Sequence, residues 1–357
     1  MNLTITQTTS PKKIPETITS FGEIFTDHMF IMDYEEGSGW KNHRIVPYEK
    51  LSLDPATAVL HYGQGIFEGL KAYKDTEGII RLFRPEMNLK RFNRSAKRLA
   101  MPEVDEDDVL EALETLVMLD KDWIPTDFGS SLYIRPFMIA TDVTLNVHNS
   151  RYFSFMIILS PSSAYLKSGF NPVKIEVSTG YVRAVRGGVG EAKTMGNYAA
   201  AILASTQAEA KGYSQVLWLD GVEGQYIEEV GSMNIMFKVG NKVLTPMLNG
   251  SILPGITRDS IITYLKSIDV EVEERRISID ELVEAANQGE LKEIFGVGTA
   301  AVVSPISELI YGDEVLKASA PYDENSLSSK IYDNLTGIQY GKREDSFGWV
   351  RILNERN

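Results

Sequence analysis

Cysteine is absent from this 357-residue chain. Disulfides, thiolate nucleophiles and zinc–thiolate sites are thereby excluded, and a reducing compartment is compatible with the composition. Histidine is scarce as well. His28, His43, His61 and His148 are scattered and match no metal-ligand spacing, so no metal site is expected. The chain has no G-x-S-x-G nucleophile elbow and no G-x-x-x-x-G-K-[ST] phosphate loop. No apolar run approaches the roughly 18 residues that a membrane span requires, so no membrane partner is expected. The first twenty residues are polar, read as a loose leader, and lack the apolar core of a secretory signal, which points to the cytoplasm. Positive charge is in deficit, with 36 Lys and Arg against 49 Asp and Glu, a net −13. That argues against a nucleic-acid-binding face.

What is present begins with length. A chain of 357 residues is long for one hydrophobic core, and two domains are the expectation. Residues 160–172 (SPSSAYLKSGFNP) break the composition with Ser, Pro and Gly. The division expected is a small N-terminal α+β domain over 1–160, a linker over 161–172 and a larger C-terminal domain over 173–357. Strands are expected at 21–32, 81–84, 132–140, 152–159, 173–178, 215–220 and 293–303, the last interrupted by Gly-Val-Gly-Thr, and the run 228–237 sets two adjacent glutamates before a glycine and a strand. Helices are expected at 86–99, 107–120, 198–210 and 256–268. Leu89, Phe92, Ala96 and Leu99 recur at helical spacing in the first of these. Ser278 and Glu281 form a capping box for one more helix, through Ala286.

The stretch that organises the chain is 187–198, GGVGEAKTMGNY. Glycine costs folding entropy, so its clustering around Lys193 needs a reason. An amine held in a cleft by a sharply bent backbone is one; a mobile loop with a solvated lysine is the other. Around it stand pieces of an anion cup. The Pro254-Gly255 turn leaves the amides of Ile256 and Thr257 free at a helix start. Residues 296–299 offer a second bend with a hydroxyl. Arg91, Arg94 and Arg98 form a stripe that is either solvated or lends one guanidinium to a phosphate. Glu228 and Glu229 are adjacent on a strand, so at most one faces a given site. A lysine amine, an anion cup and an inward carboxylate together fit pyridoxal phosphate chemistry.

At these residues the chain resembles the branched-chain amino acid aminotransferases of the fold-type IV pyridoxal phosphate enzymes. The resemblance runs from about residue 21 to 340. It rests on FTDHM (25–29), HYGQGIFEGLKAY (61–73), RLFRPEMNLKR (81–91), LYIRPF (132–137), GGVGEAKTMGNY (187–198), EEVGSMN (228–234), LNGSILPGITR (248–258) and FGVGTAA (295–301). It implies an α/β (α+β) fold of two domains, the C-terminal one a pseudo-barrel. It also implies transfer of the amino group of L-leucine, L-isoleucine or L-valine to 2-oxoglutarate, giving 2-oxo acids and L-glutamate, by a homodimer. Lys193 matches the Schiff-base lysine, Tyr198 the tyrosine on the cofactor's phenolic oxygen and Glu229 the partner of its ring nitrogen. Arg91, Ile256, Thr257 and Thr299 match phosphate contacts. Phe21, Tyr62, Phe67 and Tyr133 match residues around the substrate side chain, Gly298 and Ala300 lie near its carboxylate, and Arg135 is matched to glutamate's second carboxylate. Ala301 and Ser304 stand where mammalian relatives carry a C-x-x-C pair, and Val297 where many relatives carry serine. A D-amino acid aminotransferase or an aminodeoxychorismate lyase shares the fold, but FTDHM and HYGQGIFEG speak against both. A cofactor-storing, non-catalytic protein is opposed by the intact Lys193, Tyr198 and Glu229.

Overall fold

The computed structural model describes residues 2–18, 21–163 and 171–354. The chain divides into two compact units. The first comprises Met1–Tyr165, Ala192–Met195 and Gly337–Asn357; the second comprises Leu166–Glu191 and Gly196–Thr336. Positions 164–170, at the centre of the expected linker, lie outside the described residues.

The first unit is built on a sheet of nine strands among the described residues. Their order is Thr4–Ile5, Gly39–Pro47, His28–Glu35, Tyr152–Ser162, Ser131–Ala140, Leu70–Lys74, Ile80–Phe83 and Val350–Leu353, with Gly65–Phe67 also on Ser131–Ala140. Alternation along each strand separates two faces. Phe30, Met32, Phe155, Ile157, Leu132 and Ile134 turn to one face. There they meet the apolar stripes of helices Pro85–Arg98 and Glu106–Leu119, including Leu89, Phe92, Leu113 and Leu116. Phe92 and Phe30 both pack edge-on against Phe155, at 5.2 and 6.1 Å between ring centres. Tyr133 and Arg135, at the alternate positions of the same strand, belong to the opposite face.

Two expectations are corrected here, and an alternative left open by the arginine stripe is narrowed. The N-terminal segment is not loose: Thr4–Ile5 pairs in parallel with Arg44 and Ile45, and Lys12 Nζ donates to the carbonyls of Phe25 (3.1 Å) and Thr26 (2.6 Å). The strand expected from residue 21 begins at His28. Of the arginine stripe, only Arg91 is buried; Arg94 and Arg98 are exposed.

The second unit holds another nine-stranded sheet among the described residues. The order is Ile227–Val230, Gln215–Leu219, Val173–Val177, Val302–Tyr311, Leu291–Gly298, Asn234–Val239, Lys242–Pro246 and Val272–Arg275, with Glu314–Lys317 on Val302–Tyr311. Val230 and Met233 exchange both backbone hydrogen bonds, at 2.9 and 2.8 Å, so the edge strand curls back toward the sixth. That is the pseudo-barrel. The run 228–237 is two strands with its glycine between them, and the interruption expected within 293–303 falls at the turn 299–301. Gly231 (φ +55°) makes the first turn, where a Cβ would meet Gln215 Oε1 at 2.1 Å. Helix Ile279–Asn287 packs on one cluster of apolar residues, and Ile256–Ser267 with Leu327–Gln339 on another. Ser278 caps the first of these as its sequence predicts, accepting the Glu281 N–H at 3.1 Å.

Candidate active site

In the first unit, the Gly65–Phe67 strand and the short return of the chain at 192–195 place Lys193. The Phe67 N–H donates to the Lys193 carbonyl (3.0 Å), and the Lys193 N–H donates to Ser95 Oγ (2.9 Å) on helix Pro85–Arg98. Its ammonium lies 4.9 Å from the centre of the Phe67 ring, a cation–π distance. The backbone of Lys193 is thus held on two sides while the side chain stays half-buried.

Phe67 also carries Arg135, whose guanidinium sits 4.7 Å over the ring and donates from Nη2 to the Tyr133 hydroxyl at 3.2 Å. Phe21 meets Tyr133 edge-on at 4.8 Å. Gly69 makes room for that tyrosine, since a Cβ there would lie 1.9 Å from its hydroxyl oxygen. The structure therefore brings Lys193, Phe67, Arg135, Tyr133 and Phe21 together. Tyr62 is engaged differently: it is 45% exposed and its hydroxyl donates to the Leu145 carbonyl.

Arg91 is 3% exposed and forms a fork with Glu68, Nε to Oε1 at 2.7 Å and Nη2 to Oε2 at 2.9 Å. Asn88 adds a third donor to Glu68 at 2.8 Å. Burial would push the Glu68 carboxyl up, but Arg91, with Lys193 and Asn88, holds it below the ordinary carboxylate range. Glu68 escaped the sequence reading. The signal available was a glutamate inside the aromatic and glycine-rich run HYGQGIFEG.

In the second unit, Tyr198 and Glu229 line one cavity of about 310 Å³, together with Arg183, Asn197, Gly231 and Leu253. Its volume lies at the lower end of what small-molecule sites occupy. Glu229 is 3% exposed. Its Oε1 accepts from Asn234 Nδ2 and from the Leu253 N–H, each at 3.2 Å, and its Oε2 lies 2.6 Å from Arg183 Nε. Glu228, its neighbour, takes the Ser251 hydroxyl instead. Burial pushes the Glu228 carboxyl above the ordinary range, with Ser251 and Arg183 offsetting only part of that. Alternation along the strand separates the two carboxylates, and only Glu229 lines the cavity.

Helix Ile256–Ser267 starts at Gly255, which offers no side-chain cap. The first intrahelical acceptor is the Gly255 carbonyl, bonded by the Asp259 N–H at 3.0 Å, so the N–H groups of Ile256 and Thr257 precede the helical ladder. Both residues are buried. A Cβ at Gly255 would fall 2.0 Å from Asn234 Oδ1, so the turn is shaped by the side chain that also holds Glu229. Gly298, Thr299 and Ala300 form the half-buried turn between Leu291–Gly298 and Val302–Tyr311. Val297 points elsewhere, into an apolar cluster with Phe295 and Val303. Arg183, Asn234 and Ser251 were not singled out in the sequence, although Asn234 and Ser251 fall within matched segments.

Against known proteins, the family model described as amino-transferase class IV matches residues 65–309. Branched-chain-amino-acid aminotransferase 2 of Bacillus subtilis (strain 168) is 54% identical over 346 residues, covering 97% of this chain and 95% of the relative. Among solved structures, the branched-chain amino acid aminotransferase of Escherichia coli is similar with a TM-score of 0.75 at 26% identity, covering 92% of this chain and 99% of that one. A second solved branched-chain amino acid aminotransferase, from T.th. and complexed with N-(5'-phosphopyridoxyl)-L-glutamate, has a TM-score of 0.72 at 27% identity, covering 90% of this chain and 98% of that one.

Proposed function

The chain belongs to the class IV aminotransferases, in the branched-chain amino acid branch, and from that premise we propose that it moves the amino group of L-leucine, L-isoleucine or L-valine reversibly to 2-oxoglutarate with pyridoxal 5'-phosphate as cofactor. The observation that carries the reading is Glu229, a buried carboxylate lining a small cavity beside the phenol of Tyr198. Arg183 already stands beside one oxygen of Glu229, and the place of Glu229 on the wall of the same cavity as Tyr198 suits a protonated pyridine ring with a phenolic oxygen next to it. The uncapped, buried helix start at Ile256 and Thr257 suits a phosphate. The solved relative bound to a phosphopyridoxyl-glutamate supports the same cofactor class.

Each residue then has a task. Lys193 carries the cofactor between turnovers, and its Nζ takes the proton from the substrate's α-carbon and returns it. Glu229 holds the proton of the ring nitrogen, and Tyr198 donates to the ring oxygen. Ile256, Thr257, Thr299 and the Glu68-anchored Arg91 hold the phosphate. The bound cofactor supplies an aldehyde carbon for amine exchange and a ring that withdraws electrons from the reacting carbon. Phe21, Phe67, Tyr62 and Tyr133 give an apolar wall for branched side chains. Arg135, stacked on Phe67 and tied to Tyr133, takes the distal carboxylate of glutamate or 2-oxoglutarate, and the turn at Gly298 and Ala300 the α-carboxylate. A cytoplasmic homodimer is the working state. No helix among the described residues is long and apolar enough to cross a membrane.

The test is Lys193→Ala. The wild-type protein with added cofactor is expected to show a visible absorbance band that dialysis does not remove. The variant should lose that band, and its turnover should fall by about 10³-fold or more. A variant that keeps either property refutes the assignment.

A further inference from the structure

The geometry points to Arg183 as a positioning residue for Glu229, one that holds the carboxylate on its cavity-facing side for the cationic ring nitrogen. This rests on the pyridoxal phosphate reading of the site. Arg183 is a side chain with 8% exposure whose Nε lies 2.6 Å from Glu229 Oε2. The N–H is off the line of a hydrogen bond, so the attraction is Coulombic. Nη2 of the same guanidinium is anchored to two backbone carbonyls, Gly190 at 3.2 Å and Ser251. These carbonyls belong to the glycine-rich loop and to the segment that runs into the Pro254-Gly255 turn. Gly190 is required for this approach, because a Cβ there would meet the Ser251 oxygen at 2.1 Å.

One planar cation therefore touches both loops and the carboxylate at once. Arginine suits this task and lysine does not, since only the rigid fork reaches several acceptors in fixed directions. The other side of Glu229 is fixed as well, by Asn234 and the Leu253 N–H on Oε1. Leu253 lies two residues beyond the Ser251 carbonyl that Arg183 grips. Ser251 in turn hands its hydroxyl to Glu228, so the adjacent glutamate braces the same segment from outside the cavity. Removing the guanidinium takes a cation from beside Glu229 Oε2 and frees the 251–253 segment whose Leu253 N–H holds Oε1. The consequence is a carboxylate that no longer meets the ring nitrogen in a single orientation.

A double-mutant cycle separates this role from general support of the loops. Apo-protein is titrated with pyridoxal 5'-phosphate, and the dissociation constant is read from the visible band for wild type, Arg183→Gln, Glu229→Gln and the double variant. Thermal midpoints of the four apo-proteins are measured alongside. Arg183→Gln is expected to weaken cofactor binding about tenfold when Glu229 is present and less than about twofold in the Glu229→Gln background. The pH dependence of the visible band should shift in Arg183→Gln but not between the two proteins lacking Glu229. Equal losses in both backgrounds overturn the assignment and make Arg183 a loop brace only. Arg183→Lys, which keeps the charge but not the fork, covers the case in which glutamine prevents folding. It should lose an intermediate share of affinity, again only where Glu229 is present. A wild-type protein that takes up no cofactor would overturn the function reading, and this inference with it, in a way the variants alone cannot.

Discussion

At Asp220 one carboxylate organises a whole loop. Its Oδ2 accepts the N–H groups of Val222 (3.2 Å) and Glu223 (2.8 Å), and its Oδ1 those of Gln225 (3.0 Å) and Tyr226 (2.8 Å). Burial pushes this carboxyl up, but four backbone donors outweigh it and hold it at about 2. A carboxyl depressed in the folded state stabilises the fold above its unfolded value of about 3.9, and that contribution is lost as pH falls through the folded value. Wild type is therefore expected to lose stability between about pH 4 and 2. Asp220→Asn should have a lower thermal midpoint at pH 7 and a shallower loss across that acid window, as measured by calorimetry at a series of pH values. Equal slopes in the two proteins contradict the account. Single residues were legible in the sequence where chemistry is rare. Lys193 stood out because glycines surround it; strand alternation left Glu228 and Glu229 as alternatives, and the family resemblance picked Glu229. Glu68 and Arg183 did not stand out, because a buried ion pair joins residues 23 or more positions apart and leaves no local pattern.

Helices were the elements most legible in advance. The apolar stripe of Pro85–Arg98 and the capping box at Ser278 are local signals, and both gave boundaries within a residue or two. Strands at sheet edges were not. Lys242–Pro246, Val272–Arg275 and Glu314–Lys317 are short and lack a long alternating pattern. The turns at Gly231 and at 299–301 are signalled by glycine in the sequence, at Gly231 itself and at Gly298. In the second of these, Val302 adopts φ +61°, a strained conformation for a β-branched residue that the tight return of the chain imposes. At the start of helix Ile256–Ser267 the element and the site meet. Gly255→Ala would put a methyl group against Asn234 Oδ1 and drive that side chain away from both Glu229 and the Leu253 carbonyl. The expected outcome is a cofactor dissociation constant raised about tenfold or more, with the visible band still formed at saturation. Titration of the apo-variant checks this, and an unchanged constant would show that Asn234 does not matter to the carboxylate.

The whole molecule divides into units that the linear sequence does not mark. The sequence placed 173–357 in one domain, yet 192–195 and 337–357 belong with the N-terminal unit. The reason is long-range pairing: Val350–Leu353 lies antiparallel to Ile80–Phe83, and the Tyr340 hydroxyl reaches the Ser130 carbonyl. No pattern within a window of a few tens of residues encodes such a pairing. The architecture itself was legible, because so many separate segments match one family in order, and the family model and the solved structures agree with it. The proposed reaction is tested most directly on the intact protein. Purified protein with pyridoxal 5'-phosphate, L-leucine and 2-oxoglutarate should yield 4-methyl-2-oxopentanoate and L-glutamate in equal amounts, and L-valine and L-isoleucine should replace L-leucine. Formation of neither product under these conditions, or turnover of D-amino acids in place of the L-forms, would contradict the account.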